Sequence, residues 1–139
     1  MPKRQGKAVW KGDLPSGNGK VNFGSFEGNY SFKSRFEEGE GTNPEEMIAA
    51  AHAGCFSMAL ANALAKDDHD VKEINTTAEV SLDKLSEGFR ITQIQLNTEA
   101  EVAGLDEEGF LKYASDAKNN CPVSQALKSV EIKLDAKLK

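Results

Sequence analysis

A chain of 139 residues, 39% hydrophobic and 28% charged, has the composition of one globular domain (1–139) with a core of its own, and disorder is not expected. Its net charge of −5 includes no basic stripe, so neither nucleic acid nor an anionic membrane is indicated as a partner. Two cysteines are too few for a disulfide scaffold, and with two histidines a structural zinc site would need all four or borrowed carboxylates, which leaves a redox pair or two inert core thiols.

The chain opens with no charged segment leading into an apolar one, so a soluble, cytoplasmic protein is expected. Residues 6–12 (GKAVWKG) and 20–23 read as short strands, with Ser16-Gly17-Asn18-Gly19 as the turn between them. Tyr30, Phe32 and Phe36 suggest a third strand that carries Arg35 towards the Gly-rich loop 37–41.

The next stretch, 42–66 (TNPEEMIAAAHAGCFSMALANALAK), organises the rest. Thr42 or Asn43 can cap a helix, Pro44 suits its first position, and Glu45 and Glu46 favour the positive end of its dipole. Beyond that turn only His52, Ser57 and Asn62 interrupt an apolar run, which predicts a helix buried all round. Ala49, Ala50, Ala51, Ala53 and Gly54 would let another backbone approach closely, either a sheet or a copy of the same helix. The stretch is too polar at its start and too rich in Ala to read as a membrane span.

After the solvated exit at 66–70, residues 74–82 alternate apolar and polar as a strand with one wet face. Phe89, Ile91, Ile94, Leu96 and Thr98 form a second strand beyond the Ser86-Glu87-Gly88 turn, and the slip of phase between Ile91 and Ile94 marks a bulge. Residues 106–118 have helical spacing with an acidic first turn. Asn119-Asn120-Cys121-Pro122 ends that helix and opens another, which puts Cys121 at a helix N-terminus. Val130, Ile132, Leu134 and Ala136 make a final strand.

The two thiols are not ranked by local physics alone. The positive end of a helix favours a thiolate at Cys121, whereas Cys55, mid-helix among Ala and Phe, is expected to hold its proton. For Cys55 to be nucleophilic a cation must reach it. His52, one turn before it, is one source; Arg4, Arg35 and Arg90 are the others, with Arg35 preferred because it leads into the helix start.

Arg35 followed by GTNPEEMIAAAHAGCFSMALANAL around Cys55, together with NNCPVSQAL around Cys121, resembles the OsmC/Ohr family of osmotically inducible and organic hydroperoxide resistance proteins, on the osmotically inducible branch. The VWKGDL start and the TTAEVSLDKL strand extend the match along the chain. The resemblance implies an α+β fold of antiparallel sheets packed around a long buried central helix, in an intertwined, obligate homodimer with two active sites between subunits. It implies a thiol-dependent peroxidase that reduces organic hydroperoxides, and hydrogen peroxide more weakly.

By the same resemblance Cys55 is the peroxidatic cysteine, Cys121 the resolving cysteine, Arg35 the arginine that stabilises the thiolate and Glu45 the carboxylate that orients it. Gly54 stands where relatives often have Ala, a small-for-small change. The disulfide is returned to thiols by a dithiol, which in the better-known branch is protein-bound dihydrolipoamide, and no metal, haem or flavin is needed. Glu45 and Cys55 are ten residues apart, about 15 Å along one straight helix, so Arg35 and Glu45 of one subunit are expected to serve the thiols of the other. The resemblance assigns His52 no catalytic part, and it reads as an interior histidine. A Cys55–His52 hydrolase or acyltransferase, and a non-enzymatic small-molecule binding protein of the same fold, are the competing readings.

Overall fold

Ser31 and Ser34 decide how the first part of the chain turns. A computed structural model describes residues 1–139, which separate into two compact units, Met1–Met47 and Ile48–Lys139. In the first, β1 (Gly6–Lys11), β2 (Asn18–Phe23) and β3 (Phe26–Tyr30) form an antiparallel sheet in that order, so the predicted hairpin is present and gains a strand. Trp10 closes the first turn: its indole N–H donates to the carbonyls of Gly12 and Asp13 at 3.0 and 3.3 Å, and its ring packs against Tyr30 at 5.4 Å. Gly17 must stay glycine, since a Cβ there would lie 2.3 Å from the Asp13 carbonyl oxygen.

The expected strand over Phe32–Phe36 is instead a short helix, α1 (Phe32–Phe36). The apolar alternation that suggested a strand is overridden by a capping box. The Ser34 amide donates to Ser31 Oγ at 3.1 Å and the Ser31 amide to Ser34 Oγ at 2.8 Å, which satisfies two helix-end donors at once. Gly41, at φ 101°, then crosses close over Asn29, and a Cβ there would sit 2.2 Å from the Asn29 carbonyl oxygen. This crossing delivers the chain to α2 (Pro44–Lys66), capped by Asn43 Oδ1, which accepts from the Glu46 amide at 2.8 Å.

The second unit holds most of α2 with β4 (Asp70–Leu85), β5 (Gly88–Ala103), α3 (Glu107–Asn120), α4 (Pro122–Ala126) and β6 (Glu131–Leu138). β4 and β5 form a hairpin of two 16-residue strands, longer than the alternation alone predicts. Its register jumps where Ser81 faces Gln93 and Leu82 faces Ile91, which leaves Thr92 as the extra residue of the bulge expected between Ile91 and Ile94. β6 runs parallel to β5, so this sheet is mixed and the expectation of purely antiparallel sheets fails here. The α3–α4 segment between β5 and β6 is the long crossover that a parallel pair requires.

Phe56, Leu60 and Leu64 of α2 pack with Leu96 and Ala100 of β5, Phe110, Ala114 and Ala117 of α3, and Cys121. The helix is therefore buried along one stripe, His52, Phe56, Leu60 and Leu64, at the i, i+4 spacing of a single face. Burial all round is not observed. Ala50, Ala51, Gly54 and Met58 are exposed, Met58 at 76%, because the elements of one chain cover only one side of α2. By length and composition α2 could cross a membrane, although only 22% of its most apolar window is buried.

Candidate active site

In the first unit the structure brings together two residues that the sequence singles out. Arg35 stands on α1 and Glu45 in the first turn of α2, and the guanidinium grips the carboxylate with both arms: Nε donates to Oε1 at 3.0 Å and Nη2 to Oε2 at 2.8 Å. This fork geometry fixes orientation as well as charge. The elements are locked to each other, since Asn43 Nδ2 donates to the Ser34 carbonyl at 2.9 Å and Ser34 Oγ to the Thr42 carbonyl at 2.8 Å. Glu45 is largely buried, whereas about a third of the Arg35 side chain stays accessible, so one face of the cation remains available. Phe36 lies under it, 5.3 Å from the guanidinium carbon.

In the second unit the two cysteines, 66 positions apart in sequence, are neighbours. Both are free thiols, Cys55 half-buried on α2 and Cys121 fully buried at the junction of α3 and α4, and Cys55 packs against the core cluster that contains Cys121. The Cys55 thiol is pushed above its ordinary value, first by burial and then by the neighbouring Cys121 thiol, while the nearby Val123 backbone pulls the other way. None of these influences is a cation. The expectation that Cys55 holds its proton unless a positive charge reaches it is thus met within its own unit.

Cys121 ends α3 and caps α4, as its position just before Pro122 predicts: its amide donates to the Ala117 carbonyl at 2.9 Å and its Sγ accepts from the Ser124 amide at 3.3 Å. His52 is interior, as expected. Its Nε2 does not turn to the thiol of its own helix but lies 2.7 Å from Ser124 Oγ, which is itself 3.2 Å from Cys121 Sγ. Burial lowers the His52 pKa, so the ring is neutral near pH 7.

Ser124 escapes the sequence reading. The only local sign is a serine three positions past a capping cysteine, and its histidine partner is 72 positions away. His69, in the helix exit expected to be solvated, packs edge-on against Tyr113 at 5.5 Å. No group of three or more His, Cys, Asp or Glu side chains gathers to hold a metal ion.

Residues 37–135 match the OsmC-like protein family. The chain is 49% identical to peroxiredoxin OsmC of Escherichia coli (strain K12) over 139 residues, which covers 98% of this chain and 96% of that protein. Organic hydroperoxide resistance protein OhrB of Bacillus subtilis (strain 168) is 32% identical over 105 residues, or 73% of this chain and 74% of its own length. Among solved structures, an OsmC-like protein of unknown function from Vibrio cholerae O1 superposes with a TM-score of 0.79 at 18% identity, covering 98% of this chain and 99% of that one, and so shares the fold. With the motifs around Arg35, Cys55 and Cys121 inside or beside the matched span, this chain belongs to the OsmC family.

Proposed function

We propose that the protein is a thiol-dependent peroxidase that reduces organic hydroperoxides, and hydrogen peroxide more weakly, to alcohols and water. The observation that carries this reading is that two free thiols, Cys55 half-buried and Cys121 fully buried, are neighbours at one core cluster. Cys55 as thiolate attacks the distal peroxide oxygen, the O–O bond breaks, and the alkoxide leaves with a proton as alcohol; the cysteine is now a sulfenic acid. Cys121 condenses with it, expelling water and forming the Cys55–Cys121 disulfide, which an external dithiol then reduces. The names of the two curated relatives, a peroxiredoxin and an organic hydroperoxide resistance protein, support the same chemistry.

A second copy of the chain completes the site. Cys55 lacks a cation in its own unit, the Arg35–Glu45 fork offers one with an accessible face, and the exposed Ala50, Ala51, Gly54 and Met58 give α2 an apolar side for a partner to cover. Arg35, held by Glu45, would favour the Cys55 thiolate across that interface and offset charge developing on the leaving oxygen. A reducing, cytoplasmic setting suits a resting state of two thiols.

Cys121→Ser separates this reading from its competitors. Turnover with a dithiol should fall by at least about a hundredfold, with sulfenic acid accumulating on Cys55 after one equivalent of cumene hydroperoxide. A hydrolase using Cys55 and His52 would keep full activity in that variant, and a binding protein would show no oxidised cysteine at all.

A further inference from the structure

Between α2 and the start of α4 lie three buried groups in a row. His52 Nε2 is 2.7 Å from Ser124 Oγ, Ser124 Oγ is 3.2 Å from Cys121 Sγ, and all three side chains are cut off from solvent. Ser124 has a single hydroxyl proton. If it donates to the neutral Nε2, its oxygen is left to accept the Cys121 S–H; if Nε2 carries a proton, the hydroxyl turns and donates to a Cys121 thiolate. The row therefore has two satisfied arrangements that differ by the shift of two protons. His52 Nδ1 has no partner, so no contact in the chain fixes which tautomer the neutral ring holds, and the shift of two protons makes the ring an imidazolium.

We propose that Ser124 and His52 form a proton relay to Cys121, with Ser124 a catalytic residue touching the resolving sulfur and His52 a positioning residue acting through it. The inference rests on the peroxidase reading above. In resolution, Cys121 Sγ bonds to Cys55 Sγ and the S–O bond of the sulfenic acid breaks with both electrons on oxygen; the hydroxide takes a proton from solvent and leaves as water. The Cys121 thiol proton moves to Ser124 Oγ as the Ser124 proton moves to His52 Nε2. In reduction, a thiolate of the external dithiol attacks Cys55 Sγ, the S–S bond breaks, and Cys121 leaves with the proton that returns from His52 through Ser124. The amide of Ser124, 3.3 Å from Cys121 Sγ, steadies the sulfur while it carries charge.

The titratable groups of the cluster are His52 and the thiols of Cys55 and Cys121. No carboxylate, lysine or arginine contributes to the lowered His52 pKa, which burial alone causes. A proton acceptor of this kind works down to acid pH, so disulfide formation in the wild-type protein should persist below pH 6.5 and fail only as His52 is protonated.

The test is rapid mixing of the reduced protein with one equivalent of cumene hydroperoxide, quenched at intervals. Sulfenic acid and disulfide are counted by mass spectrometry across pH 5–9 for wild type, Ser124→Ala, Ser124→Thr and His52→Gln. In Ser124→Ala and His52→Gln the ratio of disulfide-forming to sulfenic-acid-forming rates should fall about tenfold or more, and the acid limb should move to the alkaline range of unassisted thiol ionisation. Ser124→Thr keeps the hydroxyl and should keep both the ratio and the limb. Wild-type ratio and pH profile in Ser124→Ala and His52→Gln overturn the relay while leaving the peroxidase intact. A wild-type protein that forms no sulfenic acid overturns the peroxidase reading and the relay together.

Discussion

Removing the Glu45 carboxylate while leaving Arg35 in place tests whether the fork is a working part or an ordinary surface pair. Arg35 gives Glu45 two charge-assisted hydrogen bonds at 3.0 and 2.8 Å, with Glu45 largely buried and Arg35 about one-third accessible. An exposed ion pair contributes about 0–1 kcal/mol, and losing one partner of a fully buried pair costs about 3–5 kcal/mol. The fork lies between these limits because water can reach the guanidinium once the carboxylate is gone. We therefore expect Glu45→Ala to cost about 2–3 kcal/mol and Glu45→Gln, which keeps one acceptor, about half of that.

For a chain of this length 1 kcal/mol corresponds to about 3–4 °C in Tm, so Glu45→Ala should melt about 8 °C lower in the reduced state. A double-mutant cycle with Arg35→Ala isolates the pair and should give a coupling of about 2 kcal/mol. Hydroperoxide turnover, followed by loss of cumene hydroperoxide with excess dithiol, should fall at least about tenfold in Glu45→Ala, because a guanidinium freed from its fork no longer points one way. A coupling below about 0.5 kcal/mol with unchanged turnover would refute the reasoning and reduce the pair to a helix-start ion pair.

Two further outcomes follow from the exposed side of α2 and from the state of Cys55. Met58→Glu places a charge on the 76%-exposed apolar position; it should yield monomers in sedimentation and lose peroxidase activity, and an active dimer would show that the partner sits elsewhere. Burial favours the proton-bearing form of Cys55, so the stability this group contributes is present below its ordinary value and is lost as pH rises through the raised, folded value. In the proposed dimer, Arg35 from a partner would oppose that shift. Alkylation of Cys55 should accordingly begin at lower pH in wild type than in Arg35→Ala, and coincident pH profiles would remove Arg35 from the site.

The sequence carried the helix start at Pro44, both hairpins and the bulge at Thr92, because capping, turn glycines and a slip of alternation are local signals. It misled at Arg35, where Tyr30, Phe32 and Phe36 imitate a strand while two serines close a helical turn. It overstated the burial of α2, since apolar composition does not say which faces of a helix the rest of the chain covers. The parallel direction of β6 followed from crossover length and not from its own alternation. Of the proposed site, Arg35, Glu45, Cys55 and Cys121 were nominated through long motifs. Ser124 was not, because its meaning lies in a histidine 72 positions earlier that only folding brings beside it.

The account depends most on Cys55 and Cys121 acting as one redox pair. Reduced protein treated with one equivalent of organic hydroperoxide, digested without reductant and weighed by mass spectrometry, should yield one cross-linked peptide pair joining Cys55 to Cys121, lighter by two hydrogens and separated again by a dithiol. Two intact thiols, or a Cys55 oxidised without ever linking to Cys121, would contradict it.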